Sequence, residues 1–129
     1  MIRLVAPFCA LVLAGCAGSL PNTPVSASSA GISERGSAAG MLARAGQRDA
    51  PGPDAIIAAL GAPDVDRREG AGAMLSWRLP NCALALGFAA DARGALRLAM
   101  VLADAPRPGL AKPTPDACAA EAQARSARP

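Results

Sequence analysis

Three consecutive runs in the second half of the chain alternate large apolar residues with small or polar ones. The apolar positions are Leu75, Trp77 and Leu79, then Cys82, Leu84, Leu86 and Phe88, then Leu96, Leu98, Met100 and Leu102. A period of two predicts β-strands that bury one face. The breaks between the runs, LPN and ADARGA, are short and contain turn-forming residues. The pattern therefore predicts a three-stranded antiparallel meander with these apolar residues on its buried face.

The segment PGPDAIIAALGAPD before the strands predicts a helix that covers this face. Pro53 suits a first helical turn, Ile56, Ile57 and Leu60 share one side, and Gly61 ends the pattern. The charged stretch DVDRREGAG that follows is interpreted as a loop. Residues 36–48 predict a further short helix, and DACAAEAQARSA predicts a closing one. The fold class is therefore α+β, with short helices packed on a three-stranded sheet.

The first fifteen residues, MIRLVAPFCALVLAG, have the layout of a bacterial export signal. Arg3 supplies a positive start, and the apolar run from Leu4 to Ala14 precedes small residues. At about eleven residues this run is too short to span a bilayer core of about 30 Å. Charged and polar residues interrupt the later apolar stretch between Leu79 and Ala103. We therefore expect a signal peptide over residues 1–15 and no transmembrane helix.

The end of this signal, Leu13, Ala14, Gly15 and Cys16, resembles the bacterial lipobox. The resemblance implies cleavage before Cys16 and a covalent lipid on its thiol, so that the mature chain is anchored in a membrane. The residue after Cys16 is Ala17. An aspartate at this position would imply retention in the inner membrane, so alanine implies an outer-membrane lipoprotein that faces the periplasm. The alternatives are an ordinary secretory signal whose cleavage discards Cys16, and a chance apolar start to the chain.

The composition changes after the lipobox and divides the mature chain into two parts. Residues 17–35 are rich in Ser, Ala, Gly and Pro and contain few large apolar side chains, so they cannot offset the entropy of becoming ordered. We predict a lipidated cysteine and flexible tether over residues 16–47 and a small domain over residues 48–126. The polar stretch 17–35, about twenty residues long, would reach roughly 25 Å if flexible.

Two cysteines, Cys82 and Cys118, remain once the signal is removed and Cys16 is lipidated. In an antiparallel meander the end of the third strand, near Leu102, lies beside the start of the second, near Cys82. The following loop then needs only to turn back to bring Cys118 alongside. We predict a disulfide between them in an oxidising periplasm. The alternative, a redox-active pair, lacks the C-x-x-C spacing.

The composition argues against most forms of chemistry. The chain has no histidine and no tyrosine, and no nucleophile–base pair can be named, so we predict neither catalytic nor metal-binding residues. Asp64, Asp66 and Glu69 lie among arginines and are interpreted as a solvated loop. The net charge is +3, and the arginines are scattered along the chain from Arg35 to Arg128 without forming a cluster. This distribution argues against nucleic-acid binding. Trp77 is either a core residue or an exposed anchor for a partner.

Residues 53–104, together with Cys118, resemble a wider family. The turn LGAPD, the strand aromatic Trp77 and the cysteine strand from Cys82 resemble small lipoproteins of alphaproteobacterial type, and more distantly the SmpA/OmlA class that includes the BamE subunit of the outer-membrane β-barrel assembly machine. The resemblance implies helices packed on a three-stranded antiparallel sheet. Arg78 and Leu79 depart from the family pattern, which often has a polar residue and a tyrosine there.

Two hypotheses for function follow. The first is a non-catalytic lipoprotein that binds an envelope protein or assists the assembly of one. The alternative is a module that binds a small ligand or the cell wall in an apolar groove near Trp77. No cofactor is expected other than the covalent lipid on Cys16.

Overall fold

The computed structural model describes residues 36–129 of the chain. They form three helices, α1 (Ala38–Leu42), α2 (Pro53–Leu60) and α3 (Pro115–Ser126), and four strands, β1 (Val65–Glu69), β2 (Gly72–Arg78), β3 (Ala83–Ala90) and β4 (Leu96–Asp104). The strands make one antiparallel sheet in the order β1-β2-β3-β4. The predicted α+β class is confirmed. The predicted signal peptide, the lipobox from Leu13 to Cys16 and the tether up to residue 35 lie outside the described residues.

The prediction of three strands is wrong, because the charged stretch interpreted as a loop contains β1. All five residues of β1 are exposed, so no alternation of apolar residues marks the strand. It forms by pairing with β2 across a two-residue turn, in which Gly70 has φ +54°. Charged side chains on such an edge strand oppose pairing with other chains.

A β-bulge in β4 overturns the predicted buried face of this strand. Gly87 of β3 pairs with Met100 and Phe88 pairs with Leu98, so that Ala99 is an extra residue. One extra residue moves every later side chain to the opposite face. Leu98 is therefore buried, whereas Met100 and Leu102 are 48% and 52% exposed on the outer face.

The ends of α2 and α3 coincide with residues that favour the start or the end of a helix. Pro53 stands in the first turn of α2, and Gly61, with φ +84°, follows its last residue as predicted. The side chain of Thr114 caps α3 by accepting from the N–H of Ala117. Residues Ala38 and Leu42 of α1 are buried, so the folded unit includes this helix, which the boundary at residue 48 assigned to the tether.

The core lies between the three helices and one face of the sheet. Its most completely buried side chains are Trp77, Ile56, Leu60, Leu75, Leu84, Leu86, Leu98, Cys82 and Cys118. The inward-facing residues of the first two predicted strands are thus core residues. Among residues 36–129, no helix combines the length and apolar character needed to cross a bilayer.

Candidate interaction surface

Trp77 is part of the core and not of the surface. Its side chain is 0% exposed, and its indole N–H donates a hydrogen bond of 3.3 Å to the backbone carbonyl of Gly61. This contact joins β2 to the LGAPD turn that follows α2. A ligand groove at Trp77, as the alternative hypothesis requires, would need the indole to leave the core.

The same turn holds the C-terminal end of α3. Arg125 donates to the carboxylate of Asp64, with Nη1 2.9 Å from one oxygen, and to the carbonyl of Ala62 at 2.7 Å. The backbone N–H of Arg78 donates to the same carboxylate. The hydrogen bond from Arg78, followed by that from Arg125, lowers the pKa of Asp64 below its usual value of 3.8. Asp64 therefore has a structural role that sequence analysis missed.

Replacing Asp64 with asparagine is expected to destabilise the fold at neutral pH. The exposed position limits the loss to about 1 kcal/mol. Because folding lowers the pKa of Asp64, its contribution is present above pH 3.8 and disappears as the pH falls through the lower folded-state pKa. Urea unfolding at several pH values should show the difference between wild type and Asp64→Asn shrinking below pH 3.8. An equal difference at pH 7 and pH 2.5 (roughly the acid limit of such a series) would contradict this role.

Gly61 is predicted to be hard to replace. Its φ of +84° and ψ of +177° lie in a region essentially restricted to glycine, and an added Cβ would lie 2.5 Å from Cβ and Oγ of Ser126 in α3. Gly61→Ala should therefore lower the free energy of unfolding by about 2–3 kcal/mol. Gly109 also has φ +84° but no atom within 4 Å of an added Cβ. Thermal unfolding should show a smaller loss for Gly109→Ala, and equal losses would contradict the contact with α3.

The structure brings Cys82 and Cys118 together. Their sulfur atoms lie at disulfide-bonding distance, and their Cα atoms are 5.6 Å apart. Both side chains are buried. Nearby, the carboxylate of Glu121 accepts from the backbone and side-chain N–H groups of Asn81. The pair therefore joins the start of β3 to α3 within the core.

The three acidic residues interpreted as a solvated loop, Asp64, Asp66 and Glu69, pair separately with arginines. Asp64 binds Arg125, Asp66 binds Arg68 and Glu69 binds Arg67. Among the described residues no three potential metal ligands form a group. The structure thus places these carboxylates in ion pairs along β1 and at its entrance.

The outer face of the sheet carries the exposed apolar side chains. Five large apolar residues are exposed in the described part of the chain, and the register places four of them on this face: Val65, Met74, Met100 and Leu102. The outward residues of β3 between them are small: Ala83, Ala85, Gly87 and Ala89. The face is therefore a shallow trough with Met74 on one side and the two apolar residues of β4 on the other. We call it the outer apolar face.

Sequence analysis missed this surface because the bulge changes which residues of β4 face outward. Unbroken alternation assigned Met100 and Leu102 to the core. The available signal was Gly87, since a glycine inside a strand often marks a bulge or a close approach. An added Cβ at Gly87 would lie 3.2 Å from Cε of Met100, so the methionine side chain lies across the glycine.

Comparison of the chain with protein-family models, with curated proteins and with solved structures gives no match.

Proposed function

We propose that this protein is a non-catalytic lipoprotein, anchored through Cys16 in the outer membrane and facing the periplasm, that binds an envelope protein through the outer apolar face. The observation that carries the binding role is the clustering of Val65, Met74, Met100 and Leu102 on one exposed face of the described chain. Grouped apolar residues on a surface are typical of interaction sites, whereas isolated ones are common everywhere.

The chemistry of the face supports a protein partner. Met74 and Met100 have flexible, polarisable side chains that adapt to a partner's shape. The small residues of β3 allow close approach of another backbone or side chain.

The position of the face supports a partner away from the membrane surface. The described chain begins beside α1, which packs with α3 on the opposite side of the sheet. A tether that enters on the helical side leaves the outer apolar face available to other proteins. With a reach of roughly 25 Å, the proposed tether would hold the domain near the membrane without pressing this face onto it.

The family resemblance supports an envelope role. The SmpA/OmlA class has helices on an antiparallel sheet, and this chain has helices on one face of a four-stranded antiparallel sheet. The lipobox of Leu13, Ala14, Gly15 and Cys16 supports the anchor. An accessory role in outer-membrane assembly is the form of this function that the resemblance favours.

The binding role can be tested by photo-crosslinking. The full chain, with a photo-crosslinking amino acid at position 102, is produced in a bacterial host, so that the host's envelope proteins are present. We expect a protein adduct from position 102. Leu110 is the matched control, because it is the exposed large apolar residue of the described chain that lies in the loop before α3. Equal adduct yields from positions 102 and 110, or none from either, would contradict a binding role for the outer apolar face.

A further inference from the structure

We infer that the protein bound by the outer apolar face is a second copy of this chain, packed face to face about a twofold axis that runs across the strands. The inference rests on the proposed function, because it names the partner of the same surface. It follows from how apolar and charged residues are arranged on this face.

The outward residues of the four strands form four rows across the sheet. From one end to the other the rows are Arg78, Ala83 and Asp104; then Val65, Ser76, Ala85 and Leu102; then Arg67, Met74, Gly87 and Met100; then Glu69, Gly72, Ala89 and Arg97. The two central rows contain all four large apolar residues, and the two outer rows contain charges at their ends.

A twofold axis across the strands, between the central rows, makes the face complementary to itself. It places each strand over its own counterpart with the direction reversed. Leu102 then lies over Met100 of the second copy, and the small residues of β3 lie over those of the second β3. Because β3 has no large outward side chain, the two sheets can approach closely. Val65 meets Arg67 of the second copy, whose aliphatic stem can cover it.

The same axis pairs opposite charges at the corners. Arg97 at one end of β4 faces Asp104 of the second copy, which stands at the other end of the same strand. Glu69 lies next to Arg78 of the second copy. The guanidinium of Arg97 donates to Asp91 at 3.2 Å and to the carbonyl of Ala50 at 3.4 Å, and the Arg97 side chain is 43% exposed. With five N–H donors in all, it retains donors for a second carboxylate. Symmetry repeats both contacts, so all four corner charges of each copy have an opposite charge nearby.

The other symmetric face-to-face arrangement is less complementary. A twofold axis along the strands places β1 over β4 of the second copy. Glu69, which already binds Arg67 of its own chain at 2.8 Å, then faces Arg97 of the second copy. Asp104, by contrast, has no charge directly opposite and lies only diagonally from Arg78 of the second copy. Complementary potentials fix orientation at interfaces, and we therefore choose the axis across the strands.

The size of the face predicts a weak dimer. From the spacing of strands and residues, the two faces together would bury on the order of 1,000 Å². This is at the low end for specific protein interfaces, where association is transient. Confinement of both copies to one membrane by their anchors would raise their effective concentration.

Charge reversal in full-length chains tests the partner and the axis together. Two differently tagged and isotopically distinct copies, each with the photo-crosslinker at position 102, are produced in one cell. One carries Asp104→Arg and the other Arg97→Asp. Either variant alone places two like charges opposite each other twice, which should reduce the homodimer adduct by about tenfold. The mixture restores both pairs, so a heterodimer adduct should form at the wild-type yield.

The outcomes distinguish the proposed function, the second copy and the axis. A rescued heterodimer adduct supports both the second copy and the axis, and it shows that both variants fold. An adduct with a different envelope protein leaves the proposed function standing and overturns the second copy. A link within one chain to residues 17–35 would overturn both, as would the absence of any adduct. A homodimer adduct unaffected by Asp104→Arg would overturn the proposed axis.

Discussion

Reduction of the Cys82–Cys118 pair is expected to lower the free energy of unfolding by about 3.8 kcal/mol, if a crosslink acts by restricting the unfolded chain. The residues are 36 apart in sequence, so the crosslink would close a large loop. It would also hold α3 to β3 inside a core to which the described residues contribute only two aromatic side chains, Trp77 and Phe88. Few other contacts in so small a core could replace it.

Urea unfolding of the full chain with and without a reductant measures this effect. The double variant Cys82→Ala, Cys118→Ala is the control, because it should have low stability in both conditions and no response to the reductant. A loss below about 1 kcal/mol on reduction of the wild type would show that the pair contributes little to the fold.

Trp77→Ala is expected to cost about 3–5 kcal/mol and to unfold much of the protein at 37 °C. Trp77 is the largest fully buried side chain, and its removal leaves a cavity between β2 and the helices. It also leaves the carbonyl of Gly61 without its indole donor. Circular dichroism during urea unfolding is the suitable measurement, because the variant has no tryptophan to report by fluorescence.

Two variants separate the causes of this loss. Trp77→Phe keeps most of the volume and loses the indole N–H, so it should cost less than the alanine variant. Leu102→Ala removes a large apolar residue from the exposed face of the same sheet and should change stability by no more than about 0.5 kcal/mol. A loss at Leu102 comparable to that at Trp77 would contradict the assignment of inner and outer faces.

The sequence predicted the elements whose signal is local. Pro53 and Gly61 bound α2 because their backbone preferences do not depend on tertiary contacts. The inward positions of β2 and β3 alternate strictly, because both strands are central and bury one face along their length. These elements, with Cys82 and Cys118 brought together, make up most of the core.

The remaining features depend on pairing between distant residues. β1 has no buried residue, so its charged composition suggested a loop. It forms a strand because its backbone pairs with the edge of β2. The bulge at Ala99 depends on how β4 fits against Gly87 and Phe88, which alternation within one strand cannot reveal. As a consequence, the outer apolar face could not be assigned from the sequence. The structural role of Asp64 likewise depends on its ion pair with Arg125, which is distant in sequence.

The most direct test of the central claim, an anchored binding domain, is intact-mass spectrometry of the native protein extracted from membranes. The measurement is made with and without reduction, each followed by alkylation of thiols. We predict a mass that begins at Cys16 and includes acyl chains, with Cys82 and Cys118 alkylated only after reduction. A soluble product without acyl chains, in which both thiols react at once, would contradict the account.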